Sequence, residues 1–184
     1  MSRRVIAVFG ISGVGKSTLI TEALKAAPEG AHLQARDLIK SGLADQTNSE
    51  MLRRRPSAKV RSNQDIMLEG FRRRVQAQPH RLIVFDGHLL IDTDDELVQI
   101  PQEVIASLGP SLMVHVEDDI ARIAARRTQD SSRQRPQRSE ETLQEHQQLS
   151  RNLCEAYARG LGCRMLICHP NEVASFTDLL RASG

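Results

Sequence analysis

With 184 residues, the chain can bury one substantial core and has little room for a second folded module. Its 25 Lys and Arg against 23 Asp and Glu leave a formal charge of only +2, and four Phe, one Tyr and no Trp supply no stacking surface, which together argue against a nucleic-acid platform. No apolar run approaches the ~20 residues that span a bilayer, and Met-Ser-Arg-Arg leads directly into an apolar strand without a signal-peptide core, so a cytoplasmic protein with no membrane association is expected. Cys154, Cys163 and Cys168 fit neither a paired disulfide framework nor a C-x-x-C metal site and read as buried or inert thiols in a reducing compartment.

In chain order, the run Val5 to Phe9 predicts a strand over 5–9. It passes directly into Gly10, Ile11, Ser12, Gly13, Val14, Gly15, Lys16, Ser17 and Thr18, a complete G-x-x-x-x-G-K-[ST] phosphate-binding loop. The glycines let successive backbone N–H groups turn toward a polyphosphate, and the helix predicted over 16–26 aims its positive end at the same charge. Lys16 would reach the β- and γ-phosphates, and the Ser17 hydroxyl would ligate Mg²⁺. Further strands are expected over 31–35, 81–86, 111–116 and 163–168, and helices over 36–44, 57–77, 101–108, 118–130, 139–160 and 171–182. This alternation predicts an α/β fold: a three-layer P-loop NTPase architecture with a five-stranded parallel sheet, order 2-3-1-4-5, helices on both faces and a short arginine-rich lid. The whole of 1–184 is expected to form one domain, with an acceptor-binding helical region at about 36–78 and the lid at about 128–139.

Two further stretches carry chemistry. The third strand ends Phe85-Asp86-Gly87-His88, and an aspartate at the carboxyl end of a strand beside the phosphate loop suits a metal-shell position, holding Mg²⁺ directly or through water. His88 faces the same crevice, either as a turn histidine or in acid–base work. Basic residues are mostly arginine and fall in three groups: Arg53 to Arg55 with Arg61, Arg72 to Arg74, and Arg122 through Arg138. Arginine forks suit phosphate recognition, which lysine does not copy. Arg72 to Arg74 sit mid-helix and read as a solvated face. The third group flanks the polar segment 130–139, where Arg126, Arg127, Arg133, Arg135 and Arg138 can close over a nucleotide, excluding water and neutralising charge during phosphoryl transfer.

Taken together, the phosphate loop, Phe85-Asp86-Gly87-His88, and Arg126-Arg127-x-x-Asp130-x-x-Arg133-x-Arg135 followed by Glu145-His146-Gln147 and Arg151 resemble the archaeal-type adenylate kinase family over nearly the whole chain. The resemblance implies ATP on the loop and a nucleoside monophosphate between the second strand and the helices after it. By position, Lys16, Asp86, Arg126 and Arg133 would serve transfer, and Arg127 would join the ATP contacts. Arg61, Asp37 and His88 would contact the acceptor, and His169-Pro170-Asn171 would border the adenine. A homo-oligomer is a further expectation. The sequence departs from the family where Gly87 replaces a hydroxyl residue before the histidine, and Asp92 to Gln99 is acidic and short. Three readings follow: an ATP-dependent nucleoside monophosphate kinase converting ATP and AMP to two ADP, a kinase of another small metabolite, and a slow ATPase acting as a binding or assembly factor.

Overall fold

In the computed structural model, which describes residues 3–44, 56–77, 80–130 and 136–182, the chain runs β1 (Arg4–Phe9), α1 (Lys16–Lys25), β2 (Gly30–Gln34), α2 (Ala35–Ala44), α3 (Pro56–Ala77), β3 (Leu82–Asp86), β4 (Leu90–Asp92), β5 (Leu97–Gln99), α4 (Gln102–Ala106), β6 (Leu112–Val116), α5 (Ile120–Gln129), α6 (Glu140–Gly160), β7 (Arg164–Cys168) and α7 (Val173–Arg181). The main sheet has the order β2-β3-β1-β6-β7 and is parallel throughout. This is the expected 2-3-1-4-5, its numbering displaced only because two hairpin strands intervene in the chain. All five expected strands and seven expected helices are present, with ends shifted by up to two residues at most boundaries.

The central strands are apolar on both faces because both are covered, as a parallel sheet requires. Val5, Ala7, Phe9, Ile83 and Phe85 point into a core closed by α3, α4 and α6. Ile6, Val8, Leu82 and Val84 point the other way, into a core closed by α1, α5 and α7. In the first core, Phe85 meets Phe71 of α3 edge to face at 5.8 Å and Phe9 at 6.3 Å, a geometry that aromatic quadrupoles favour.

The sequence reading had no counterpart for the antiparallel β4–β5 hairpin, in which Leu90 pairs with Gln99 and Asp92 with Leu97. Three-residue strands give too little alternation to register as a period. The turn is closed instead by Thr93, whose N–H and hydroxyl both donate to the Glu96 carbonyl at 3.0 and 2.7 Å. The short helix expected over 101–108 is only Gln102–Ala106. The three cysteines are free, and burial pushes the Cys154 and Cys168 thiols up to about 12, so they are inert as expected. Arg72, Arg73 and Arg74 lie on the exposed face of α3, again as expected, whereas Arg53 to Arg55 and Arg133 lie outside the described residues.

Candidate active site

Parallel pairing sets the site. Val8 lies opposite Asp86 in the β1–β3 register, so the loop leaving β1 and the carboxylate ending β3 emerge side by side at the carboxyl edge of the sheet. The loop then folds on glycines: Gly13 has φ +91° and Gly15, the N-cap of α1, has φ +107°, a region closed to most side chains. At Gly13, moreover, a Cβ would lie 2.7 Å from Arg127 Cγ, so the stem of that arginine lies directly on the loop. A cleft of about 410 Å³ opens here, lined among others by Gly13, Lys16, Ser17, Asp86, His88 and Arg126.

Lys16, expected to reach the β- and γ-phosphates, folds back onto its own loop. It is 5 % exposed, and its Nζ donates to the carbonyls of Gly10 at 2.9 Å and Ile11 at 3.4 Å. His88 Nδ1 lies 2.8 Å from the same Gly10 carbonyl and 3.3 Å from Lys16 Nζ, so lysine, histidine and loop carbonyl form one cluster. The Ser17 hydroxyl donates to Asp86 Oδ2 at 2.6 Å. Burial by itself would raise the Asp86 pKa, but His32, Lys16, Ser17 and His88 outweigh it and hold the carboxyl at about 2. His32, not anticipated from sequence, faces Asp86 from β2: its buried Nε2 lies 3.5 Å from Oδ2 without completing a hydrogen bond. A histidine at an inward position of an edge strand carries no motif, so only the strand pairing reveals it.

Arg126 is docked rather than raised over the cleft. Its Nη1 donates to the carbonyls of Gly13 at 2.9 Å and Val14 at 2.6 Å, and its Nη2 pairs with Asp118. Arg127 Nη2 pairs with Asp92 Oδ2 at 3.3 Å and donates to the Pro136 carbonyl at 2.8 Å, so it bonds away from the main cleft, which it does not line. Asp37 and Arg61, both expected to contact the acceptor, are exposed on α2 and α3 and do not line the cleft. Arg36 lines it instead, together with Gln34 at the end of β2. The reason is local: β2 passes into α2 without a loop, so the residues at this junction face the crevice while Asp37 turns outward and pairs with Arg36 at 3.4 Å. The Gly15 position also abuts Pro170, where a Cβ would lie 3.0 Å from Pro170 Cβ, which brings the loop after β7 to the rim of the phosphate loop.

Comparisons with known proteins give the family. A family model described as an AAA domain covers residues 9–144, from the end of β1 into α6. The adenylate kinase of Methanopyrus kandleri is 31% identical over 191 residues, covering 97% of this chain and 98% of its own length. The chain belongs to the archaeal-type adenylate kinase family. Other members include the adenylate kinases of Thermococcus onnurineus and Pyrococcus abyssi, 30% and 32% identical, each aligned over 84% of this chain and 80% of the relative. A shikimate kinase from Acinetobacter baumannii, solved with shikimate, has a TM-score of 0.59 at 14% identity and covers 98% of this chain and 94% of that one, a likeness of fold. As a member of this family the chain is a P-loop phosphotransferase of the nucleoside monophosphate kinase type. Among the described residues, no helix is long and apolar enough to cross a membrane.

Proposed function

We propose that the enzyme transfers the γ-phosphoryl group of ATP to a nucleoside monophosphate, with AMP as acceptor and two ADP as products. The observation that carries this reading is the Ser17–Asp86 contact of 2.6 Å beside a buried Lys16, all in one cleft with Arg36 and Arg126. A hydroxyl and an ionised carboxylate are hard oxygen donors suited to Mg²⁺, which takes few protein ligands and completes its shell with phosphate oxygens and water. Mg²⁺ held there by Ser17 and Asp86 would supply positive charge against the transferring phosphates.

The remaining work falls to the chain itself. Loop N–H groups and the start of α1 cradle the donor phosphates. Lys16 moves from the carbonyls of Gly10 and Ile11 to phosphate oxygens. Arg126 turns its fork from the Gly13 and Val14 carbonyls onto the transferred group, while Arg36 holds the acceptor phosphate. An acceptor phosphate oxygen attacks the γ-phosphorus, the bond to the β-phosphate oxygen breaks, and ADP leaves. A phosphate oxygen is already ionised and needs no base, so His88 is left the role of ordering the loop through its contact with Gly10. Arg133, outside the described residues, is assigned to the lid on family likeness alone.

A second reading, transfer to another small metabolite, is favoured by one observation: Asp37 and Arg61 do not line the cleft. Incubating the protein with Mg·ATP and a panel of acceptors, followed by product analysis, separates the readings. Formation of ADP from AMP at a rate far above ATP hydrolysis alone is expected. A product on a different acceptor, with AMP inert, selects the second reading, and slow hydrolysis without any phosphorylated acceptor returns the protein to a binding role.

A further inference from the structure

Among the described residues, His32 Nε2 is the one buried side-chain polar atom that completes no hydrogen bond. Such an atom has given up its hydration without gaining a partner, and a fold that keeps it asks for a reason. Packing alone does not supply one, because an apolar β-branched residue suits a half-buried strand position at least as well.

Strand alternation fixes where the imidazole lies. Ala31 and Leu33 of β2 enter the core closed by α3, and so do Ile83 and Phe85 of β3. His32 and Gln34 therefore share the opposite face with Val84 and Asp86, their partners in the parallel register. That face is covered by α1, which carries Ser17 near its start. Asp86 Oδ2 consequently has two groups turned toward it: the Ser17 hydroxyl at 2.6 Å, and His32 Nε2 at 3.5 Å, about half an ångström beyond an ordinary N–H···O contact. An ionised carboxylate only accepts, so a proton on this histidine nitrogen is the arrangement that Asp86 favours.

We propose that His32 is a positioning residue for Asp86: once the Ser17 oxygen and the carboxylate turn to a divalent cation, the His32 Nε2–H completes the hydrogen bond to Oδ2 and fixes the rotation at which Asp86 meets the metal. The inference rests on the Mg²⁺ reading of Ser17 and Asp86 given above and adds to it the group that orients the carboxylate. A serine oxygen shared with a cation is a weaker brace for Asp86, whereas an imidazole anchored in a paired strand stays in place behind it. Groups that hold a metal ligand from behind commonly contribute about 10–100-fold to metal affinity.

Mn²⁺ is the probe, since it shares the preference of Mg²⁺ for oxygen donors and is visible by electron paramagnetic resonance. It is titrated into a complex of the full chain with a non-hydrolysable ATP analogue, with protein in excess so that free nucleotide does not compete. His32→Phe keeps a ring of similar volume and removes the donor. This variant should bind Mn²⁺ about tenfold more weakly, while calorimetry of the analogue in EDTA should give an affinity within about two-fold of wild type. His32→Gln, whose amide carries a donor to the ε position, should recover most of the loss, whereas a role in packing alone would favour the phenylalanine. Unchanged Mn²⁺ affinity in His32→Phe, or an equal loss in His32→Gln, overturns the proposal. Should His32→Phe fail to fold, His32→Leu carries the same comparison. Asp86→Asn separates this inference from the reading beneath it. If Asp86→Asn binds Mn²⁺ as wild type does, the carboxylate leaves the metal site and the proposal falls with it. If Asp86→Asn loses Mn²⁺ and His32→Phe does not, the metal reading stands and only the role of His32 is overturned.

Discussion

At the scale of single residues, buried charge decides the behaviour of the site. Lys16 is the ammonium that compensates the Gly10 and Ile11 carbonyls, so its loss acts twice. Lys16→Ala is expected to abolish phosphoryl transfer in a coupled assay and, because the Ile11 carbonyl keeps the Val14 N–H and the Gly10 carbonyl keeps its His88 contact, to lower stability by no more than about 1 kcal/mol. Turnover within a few-fold of wild type would remove the phosphate loop from the mechanism.

His115, fully buried on β6, sits 3.0 Å from the Ser150 hydroxyl and 3.1 Å from Glu117 Oε1. Burial first, then the Lys16 and Arg151 charges, lower its pKa from 6.5 to about 3. A folded-state pKa below the unfolded one means that the unfolded chain binds the proton first, so stability is complete above about pH 6.5 and falls as pH drops toward 3. Asp86, lowered from 3.8 to about 2, adds a second loss of about 2 kcal/mol as pH falls from 3.8 to about 2. Denaturant titrations of His115→Gln should show a flatter stability profile between pH 6 and 4 than wild type, on the linkage argument above. Parallel profiles would mean that this imidazole is not buried neutral.

Elements set the spacing between those residues. Helices α2 and α3 pack through Gly42, where a Cβ would come within 2.3 Å of Ile66 Cγ2, the stiff branch of a β-branched side chain. Glycine costs up to about 1 kcal/mol in a helix interior, yet here it permits a close approach that alanine would prevent. Gly42→Ala should therefore destabilise by about 1–3 kcal/mol through overpacking, against the propensity gain, as a shift of the thermal midpoint would register. A more stable variant would show that α2 and α3 can separate without cost. The same helix pair carries the β2–α2 junction with Arg36, so a raised KM for the acceptor at nearly constant kcat is expected alongside the stability loss. Helix α5 is capped by Asp119, which accepts from the Arg122 N–H at 3.2 Å and fixes the direction from which Arg126 and Arg127 reach the loop.

Across the whole molecule, the phosphate loop, Asp86, Arg36 and the loop after β7 meet only because five strands run parallel and deliver their carboxyl ends to one edge. A ligand bound at that edge couples to the entire core. ADP at about 100 times its dissociation constant should raise the unfolding free energy by about 2.7 kcal/mol, the value set by mass action. Lys16→Ala should lose most of that increment at the same ADP concentration, and an increment that survives would place the nucleotide elsewhere.

The sequence by itself determined the elements whose signal is local. Apolar runs gave the five strands, because a doubly covered strand needs no alternation, and glycine spacing ahead of Lys16 and Ser17 gave the phosphate loop. Asp86 was legible from its position at a strand end. Ser139, read as the start of a helix, caps α6 by accepting from the Thr142 N–H at 3.3 Å. Contacts between residues distant in the chain were decided only by the tertiary structure, since no local pattern encodes them. Strand pairing put His32 against Asp86, and the direct β2–α2 junction set Arg36 on the lining of the cleft and left Asp37 off it. Lys16 is buried because its own loop offers carbonyls to a charge that would otherwise be left desolvated. The convergence of Arg127 and Arg138 on Asp92 joins β4, α5 and the segment before α6 across up to 46 positions of sequence, and only their packing makes them neighbours.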